Sequence, residues 1–218
     1  MNPIINLIRN SWPLLMQGLS MTLFLWLTTA IIALSMGMLW GIMRSNAVRI
    51  KLLSGGLDVI TFVLRGIPYY VQLLIAYFVL PAALGINLSA CTAAILSLGF
   101  CSAAYISQMI RGSINTIPTG QWLAARALGY STLQTIWYII LPQVLKALTP
   151  ALTGELDQLL KSTSLVSSIG VLELTRAGMN IIARTMNPIS VYTTIALIYL
   201  ILSSLLAIAA QTLNRRLS

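Results

Sequence analysis

The chain has 218 residues, of which 58% are hydrophobic and only 8% are charged. Soluble domains carry about 25% charged residues, so this composition excludes a soluble globule and indicates an integral membrane protein. The formal net charge is +9, from thirteen Lys and Arg residues against four acids. Because the basic residues fall mainly between apolar segments, retention on the cytoplasmic side of a membrane explains them better than nucleic-acid binding does.

The chain also lacks the side chains from which metal and disulfide sites are built. It contains no histidine, and its two cysteines are Cys91 and Cys101. Ten residues of helix would hold these cysteines about 15 Å apart, which is beyond the reach of a disulfide. We therefore expect no metal site and no cofactor in this chain.

Five segments are candidates for membrane-spanning helices, which need about 20 residues each. The second is expected to stop at Pro81, and the third at the pair Arg111-Gly112. The predicted spans are residues 19–43, 57–80, 88–110, 147–170 and 190–213.

The fourth span is too polar to be found by hydropathy, but the distribution of basic residues requires it. With five spans, nine Lys and Arg residues lie on or near one side of the membrane and three lie on the other, which is the bias expected of the cytoplasmic side. The nine are Arg44, Arg49, Lys51, Arg65, Arg111, Arg126, Lys146, Arg215 and Arg216, and the three are Arg9, Arg176 and Arg184. We therefore predict five spans with the N-terminus outside and the C-terminus in the cytoplasm.

The polar residues of the fourth span need partners or water. A charged side chain at membrane depth costs a few kcal/mol unless it faces protein or water, so this helix should line the bundle interior or a subunit interface. Asp157 and Lys161 have the i,i+4 spacing of an ion pair. Glu155 has only Gln158 as a local hydrogen-bonding candidate, which makes Glu155 a candidate for contact with a solute. Five helices enclose a solute path poorly, so we expect a dimer.

The segment between the third and fourth spans, residues 112–146, is long and polar. Residues 121–128 predict a short Ala-rich helix that Gly129 ends as a C-cap. Residues 132–141 predict a second short helix, which Pro142 should break. The small alanines leave a slim helix suited to a groove in a partner protein, although a helix lying on the lipid headgroups fits the spacing equally well.

This segment resembles the coupling loop, or EAA loop, of the membrane subunits of ATP-binding-cassette (ABC) importers. The matching residues are Ala124-Ala125, Gly129 and, further on, Ile140-Leu141-Pro142. Blocks elsewhere, in the order and spacing of the polar amino acid permease branch (histidine, glutamine and arginine type), extend the resemblance over about residues 17–175. These blocks are Gln17-Gly18-Leu19, Leu64-Arg65-Gly66-Ile67-Pro68, Ala104-Tyr105-Ile106, Arg111-Gly112 and Leu159-Leu160-Lys161-Ser162-Thr163-Ser164-Leu165.

The resemblance implies a single permease domain over residues 1–218. The expected fold is that of a type I ABC importer permease, an all-α integral membrane protein with five transmembrane helices and a cytoplasmic coupling loop. The implied ATPase-coupling residues are Gly120, Leu123, Ala124, Ala125, Gly129, Leu141 and Pro142. The implied substrate pathway contains Gln108, Glu155, Asp157, Gln158 and Lys161.

The resemblance also implies partners in a bacterial inner membrane. The chain has no Gly-x-x-x-x-Gly-Lys-Ser/Thr loop, so ATP and Mg²⁺ are expected on separate ATPase subunits. A second permease subunit, identical or related, and a periplasmic solute-binding protein would complete an importer for a polar amino acid. Four polar residues after the fourth span would either contact that binding protein or form a solvated loop. They are Glu173, Arg176, Asn180 and Arg184.

Two positions depart from the family pattern. Leu123 stands where the family has the glutamate that opens the coupling motif, and Gln108 stands where it has an acid three positions before the Arg-Gly pair. Two alternatives therefore stay open. One is a secondary transporter or channel with Glu155, Asp157 and Lys161 as its relay, and the other is a degenerate, non-transporting assembly subunit.

Overall fold

The computed structural model describes the backbone of residues 3–217 and the side chains of residues 9–212, 214 and 215, so the Arg216 side chain lies outside it. The described chain is helical throughout, apart from short connections. The α-helices are α1 (Pro3–Met43), α2 (Lys51–Gly66), α3 (Tyr69–Leu74), α4 (Leu80–Leu84), α5 (Ala90–Asn115), α6 (Thr119–Ala127), α7 (Thr132–Thr135), α8 (Leu141–Ser162), α9 (Leu174–Thr185) and α10 (Pro188–Leu217). Two π-helical turns, Ile75–Val79 and Ile136–Ile140, and one 3₁₀ segment, Thr163–Ile169, join some of them.

Four helical stretches in the described residues are long and apolar enough to cross a membrane. They are Arg9–Met43, Ala90–Asn115, Thr132–Ile169 and Pro188–Thr212. A fifth is present if the bent pair Lys51–Gly66 and Tyr69–Leu84 counts as one span. The predicted number of five therefore depends on this bent pair.

The prediction of one uninterrupted helix over residues 57–80 is wrong. The chain bends by 106° between α2 and α3. Ile67, at the break, is extended with φ −102° and ψ 132°, because the ring of Pro68 disfavours helical geometry in the residue before it.

Two other prolines were expected to end helices and do not. Pro81 and Pro142 each lie two residues beyond a π-helical turn, and the helix continues through both. A π-turn shifts the hydrogen bonds by one residue and leaves one carbonyl without its donor. Proline has no N–H to donate. The unpaired carbonyl of the π-turn and the missing N–H of the proline fall in the same turn, and the helix continues. The helix that was expected to end at Pro81 ends after Leu84 instead, where Gly85 adopts the left-handed conformation with φ +65°.

The polar segment between the third and fourth spans is shorter than expected. The third helix continues to Asn115, and the helix of the fourth span begins at Thr132, not at residue 147. Only residues 116–131 therefore separate the two long helices, and α6 lies within them.

The chain divides into two compact units, and the first comprises residues 1–30, 68–99 and 156–208. Its buried cluster joins α1, α9 and α10 through Leu15, Leu174, Ile181, Val191 and Ile195.

The second unit comprises residues 31–67, 100–155 and 209–218. Here α1 and α5 approach closely along Gly37 and Gly41. A Cβ atom on these glycines would lie 2.7 Å from the Ile106 Cβ and 2.6 Å from the Ile110 Cβ. Small residues four apart let two helix backbones meet in this way, and α5 is thereby held against the second half of α1.

Candidate functional site

α6 is a short helix ended by a glycine. The helix covers Thr119–Ala127, and Gly129 follows it at φ +83°. The Gly129 N–H donates to the Arg126 carbonyl at 3.0 Å, and the Tyr130 N–H donates to the Ala125 carbonyl at 3.0 Å. These two bonds form the Schellman motif, in which a left-handed residue reverses the chain and satisfies the last carbonyls of the helix. The predicted C-cap at Gly129 is confirmed.

A capping box begins the next helix immediately afterwards. The Gln134 N–H donates to Ser131 Oγ at 3.3 Å, and the Ser131 N–H donates to Gln134 Oε1 at 2.8 Å. Such reciprocal bonds satisfy two of the unpaired amides at a helix start. The turn between α6 and α7 is therefore defined at both ends by its own hydrogen bonds.

Two glutamines connect α6 to α8. Gln121 Nε2 donates to Gln143 Oε1 at 3.2 Å, and Gln143 Nε2 donates to Gln121 Oε1 at 3.0 Å. Gln143 Nε2 also donates to the Ile139 carbonyl at 2.7 Å, which holds the side chain against its own helix. α6 is thus bonded directly to the helix that carries Glu155.

Several large apolar side chains of this segment are exposed. Leu123 is 64% exposed, and Leu128 is 76% exposed. Leu133, Trp137 and Tyr138 are also exposed on the following helix. In a membrane protein, exposed apolar side chains of this kind contact lipid or another protein.

The other residues of the predicted coupling site have different environments. Ala125 and Leu141 are buried, whereas Ala124 and Pro142 are exposed. A side chain at Gly120 would meet open space. Ala124 and Ala127 lie on the exposed face of α6, whereas Ala125 packs inside, and docking of this slim face in a partner's groove stays a prediction.

A cavity of about 310 Å³ opens beside α6. Its lining includes Asn46, Ile114, Ile117, Trp122, Arg126 and Thr132. The loop after α1 is bonded to the end of α5 here, since the Asn46 N–H donates to Asn115 Oδ1 at 3.0 Å. α6, the end of α5 and the loop after α1 therefore adjoin one another.

Glu155 is buried, at 9% exposed, and has a partner from another helix. Its Oε1 accepts a hydrogen bond from Ser102 Oγ of α5 at 2.6 Å. A short bond to a carboxylate is stronger than one between neutral groups, and it offsets part of the cost of burying the acid. The local candidate, Gln158, is exposed.

Asp157 and Lys161 form the predicted ion pair. Lys161 Nζ lies 2.6 Å from Asp157 Oδ2, one helical turn away. Lys161 is 53% exposed and Asp157 is 27% exposed. The pairing is confirmed, and contact of either residue with a solute stays a prediction.

Gln108 is bonded to a buried arginine. Arg44 is 2% exposed, and its Nη2 donates to Gln108 Oε1 at 3.3 Å while its Nη1 donates to Ser107 Oγ at 2.8 Å. The placement of Gln108 on a solute path also stays a prediction.

Asp58 is the acid that the sequence analysis missed. Its Oδ1 lies 2.8 Å from both Arg44 Nε and Arg111 Nη1, and its Oδ2 lies 3.4 Å from Arg49 Nη2. One carboxylate on α2 therefore connects three arginines. The available signal was the spacing of Ser54, Asp58 and Thr61, which places three polar side chains on one face of a mainly apolar helix.

These features belong to a known kind of membrane protein. Residues 33–218 match the family model described as binding-protein-dependent transport system inner membrane component. The chain belongs to this family. It is therefore a membrane subunit of a transport system and not an enzyme.

Similar proteins align with nearly the whole length of this inner membrane component. It is 34% identical over 205 residues to the arginine transport system permease protein of Bacillus subtilis (strain 168), covering 94% of this chain and 93% of that protein. It is 34% identical over 211 residues to the glutamine transport system permease protein of Escherichia coli (strain K12), with coverage of 94% and 93%. A solved amino acid ABC transporter with histidines matches at a TM-score of 0.87 and 32% identity, covering 99% of each chain. The fold is that of a type I ABC importer permease.

Glu173 has a structural role in this inner membrane component. It is fully buried and caps α9, because its carboxylate accepts from the Thr175 N–H at 2.8 Å and the Arg176 N–H at 2.7 Å. Tyr199 OH donates to it as well, at 3.2 Å. Burial raises the pKa of Glu173, and these hydrogen bonds oppose the rise. Both expectations for this residue, contact with an external protein and a solvated loop, are wrong.

Proposed function

We propose that this chain forms, with a second permease subunit, the path by which an ABC importer takes an amino acid into the cell. The observation that carries the proposal is the bonded connection from α6 to α8 through Gln121 and Gln143. It joins the segment that resembles a coupling loop to the helix that carries the buried acid Glu155. The arginine and glutamine permeases among the relatives support an amino acid as the solute.

α6 is the proposed contact with an ATPase subunit. Its exposed side chains Leu123 and Leu128 are apolar, so the contact would rest on burial of hydrophobic surface, at about 25 cal/mol per Å². In this chain Leu123 would make an apolar contact in place of the charged one expected from a glutamate. When the ATPase subunits close, α6 would move and the Gln121–Gln143 pair would transmit that movement to α8.

The proposed orientation has α6 in the cytoplasm. α6 carries Arg126, Arg44 directly follows α1, and Arg111 lies in the last two turns of α5. A cluster of basic residues is retained on the cytoplasmic side. The N-terminus would then lie outside, and α9, with Arg176 and Arg184, would lie on the side from which a solute-binding protein delivers the amino acid.

Glu155 is the proposed contact for the ammonium group of the solute. A buried carboxylate in a membrane protein costs several kcal/mol unless a function or a partner offsets it. Its bond to Ser102 supplies one partner, and an ammonium group would supply an opposite charge during transport.

Reconstituted transport tests this proposal directly. The complex that copurifies with this chain is placed in proteoliposomes with ATP inside, and uptake of labelled arginine, glutamine and histidine is measured with and without the binding protein. ATP-dependent uptake of at least one of them is expected. Uptake driven by an ion gradient without ATP would indicate a secondary transporter, and failure of any ATPase to copurify would indicate an assembly subunit.

Two substitutions separate the two parts of the proposal. Leu128→Asp should reduce copurification of the ATPase, because it places a charge in an apolar contact. Glu155→Gln should leave copurification intact and reduce uptake. Unchanged uptake of every amino acid tested in Glu155→Gln would remove the substrate role and leave the coupling role standing.

A further inference from the structure

α2 has a polar buried face and an apolar exposed face, which is the reverse of a surface helix in a soluble protein. Its most buried positions are polar, with Ser54 1% exposed and Thr61 fully buried. Its most exposed positions are apolar, with Leu52 90%, Val59 64% and Phe62 71% exposed. A helix with its polar face inside and its apolar face outside requires an apolar surrounding on the exposed face.

Positive charge is concentrated around Asp58 of α2, in the second compact unit. Arg44, Arg49 and Arg111 all bind the single carboxylate of Asp58. Three cations against one acid leave a local charge of +2, and Lys51 at the start of α2 adds to it.

The other acid of this unit does not neutralise the cluster. Glu155 is bonded to Ser102 on α5. Ser102 lies nine residues before Arg111 on that helix, a distance of about 14 Å along the axis.

Two of the three arginines are accessible at the surface of the chain. Arg44 is buried, and its guanidinium is occupied by Asp58, Ser107 and Gln108. Arg49 is 45% exposed and Arg111 is 26% exposed. Each gives one nitrogen to Asp58, and a guanidinium has five N–H donors in all. Donors are therefore available at the edge of the apolar face of α2.

We propose that Arg49 and Arg111 bind the phosphate of an anionic phospholipid whose acyl chain lies along the exposed face of α2. An arginine binds phosphate through paired, charge-assisted hydrogen bonds, and the phosphate brings the negative charge that the cluster lacks. Basic residues at the cytoplasmic leaflet attract anionic lipid by about 1 kcal/mol each. The exposed apolar residues Leu52, Val59 and Phe62 place acyl chains beside the arginines, so the phosphate of a lipid fits the site better than a free phosphate ion.

Native mass spectrometry of the purified complex with added lipid tests the site without any transport measurement. The complex should retain phosphatidylglycerol in preference to phosphatidylcholine. Arg49→Gln should reduce the retained phosphatidylglycerol about fivefold, which corresponds to one basic residue at the lipid surface. Arg49→Lys should keep most of it, because the charge remains. Arg9→Gln is the matched control, since it removes one exposed arginine at the other end of α1 and should change nothing.

Three outcomes would overturn the site. One is equal retention of the two lipids by the unaltered complex. Another is an equal loss in Arg49→Gln and Arg9→Gln, which would reflect net charge and not a site. The third is displacement of the lipid by inorganic phosphate at the same concentration, which would assign the arginines to a free anion.

Discussion

Gln121 and Gln143 exchange two side-chain hydrogen bonds, at 3.2 and 3.0 Å, across 22 residues of the chain. Together they join α6 to the long helix that follows. The buried Ala125 packs α6 against the rest of its unit, and the glutamine pair adds a direct connection to α8. The pair therefore gives α6 a defined position from which a push by a partner reaches α8.

Removing one member of the pair should uncouple transport from ATP hydrolysis. Gln121→Ala deletes two exposed hydrogen bonds, each contributing about 0.5–1.5 kcal/mol, so the chain should still fold. We expect the amount of amino acid taken up per ATP hydrolysed in proteoliposomes to fall severalfold. The double variant Gln121→Glu with Gln143→Lys should restore much of it by replacing the amide pair with an ion pair. Equal ratios in the unaltered protein and Gln121→Ala would show that the pair transmits nothing.

The second prediction concerns the backbone at Gly129. A side chain in the left-handed region costs about 1–2 kcal/mol, and Gly129 has φ +83°. Gly129→Val should therefore weaken the end of α6 and reduce copurification of the ATPase, whereas Gly129→Asn should be tolerated better. Gly112→Ala is the control, since an added Cβ there meets nothing within 4 Å. Equal copurification in Gly129→Val and Gly112→Ala would contradict the role of the Schellman turn.

The third prediction concerns the contribution of the Asp58 carboxylate to the stability of the folded protein. Asp58→Asn leaves Arg44 buried without its charged partner. Breaking a fully buried ion pair costs about 3–5 kcal/mol, and because Asp58 is 28% exposed we expect about 2–3 kcal/mol here. The midpoint of thermal unfolding in detergent should fall accordingly.

Gln108 offers a control for the Asp58 variant. Its Oε1 already lies 3.3 Å from Arg44 Nη2, so Gln108→Glu would supply a carboxylate to the same guanidinium from α5. The double variant Asp58→Asn with Gln108→Glu should recover part of the lost stability. No recovery would mean that Asp58 acts mainly through Arg111 and Arg49.

Glu173 makes a fourth prediction, about pH. Burial raises its pKa in the folded state, so the folded protein binds this proton more tightly than the unfolded chain does. The stability contributed by the protonated form is fully present below the unfolded pKa of about 4.3. It is lost as the pH rises through the raised folded pKa.

Glu173→Gln should remove this part of the pH dependence. The chain has four acids and no histidine, so few other groups titrate in the same window. We expect the unfolding midpoint of the unaltered protein to fall with rising pH above about 4.3, and that of Glu173→Gln to change less. Parallel pH profiles for the two proteins would contradict the effect.

Features set by neighbours in sequence were predictable. The C-cap at Gly129 requires only that the residue after a short helix adopt positive φ, and the Asp157–Lys161 pair requires only one helical turn of spacing. The class of protein follows from composition, because a chain with 8% charged residues has too few polar side chains to cover a soluble surface.

The partners of the polar side chains depended on tertiary structure. Asp58 meets arginines 9, 14 and 53 residues away, and Glu155 meets Ser102 from 53 residues away. No periodicity links such positions, because only the packing of separate helices decides which polar faces meet. The prolines also depended on their surroundings. Pro68 breaks its helix where the preceding residue turns extended, whereas Pro142 stays within its helix because a π-turn removes the need for its missing N–H.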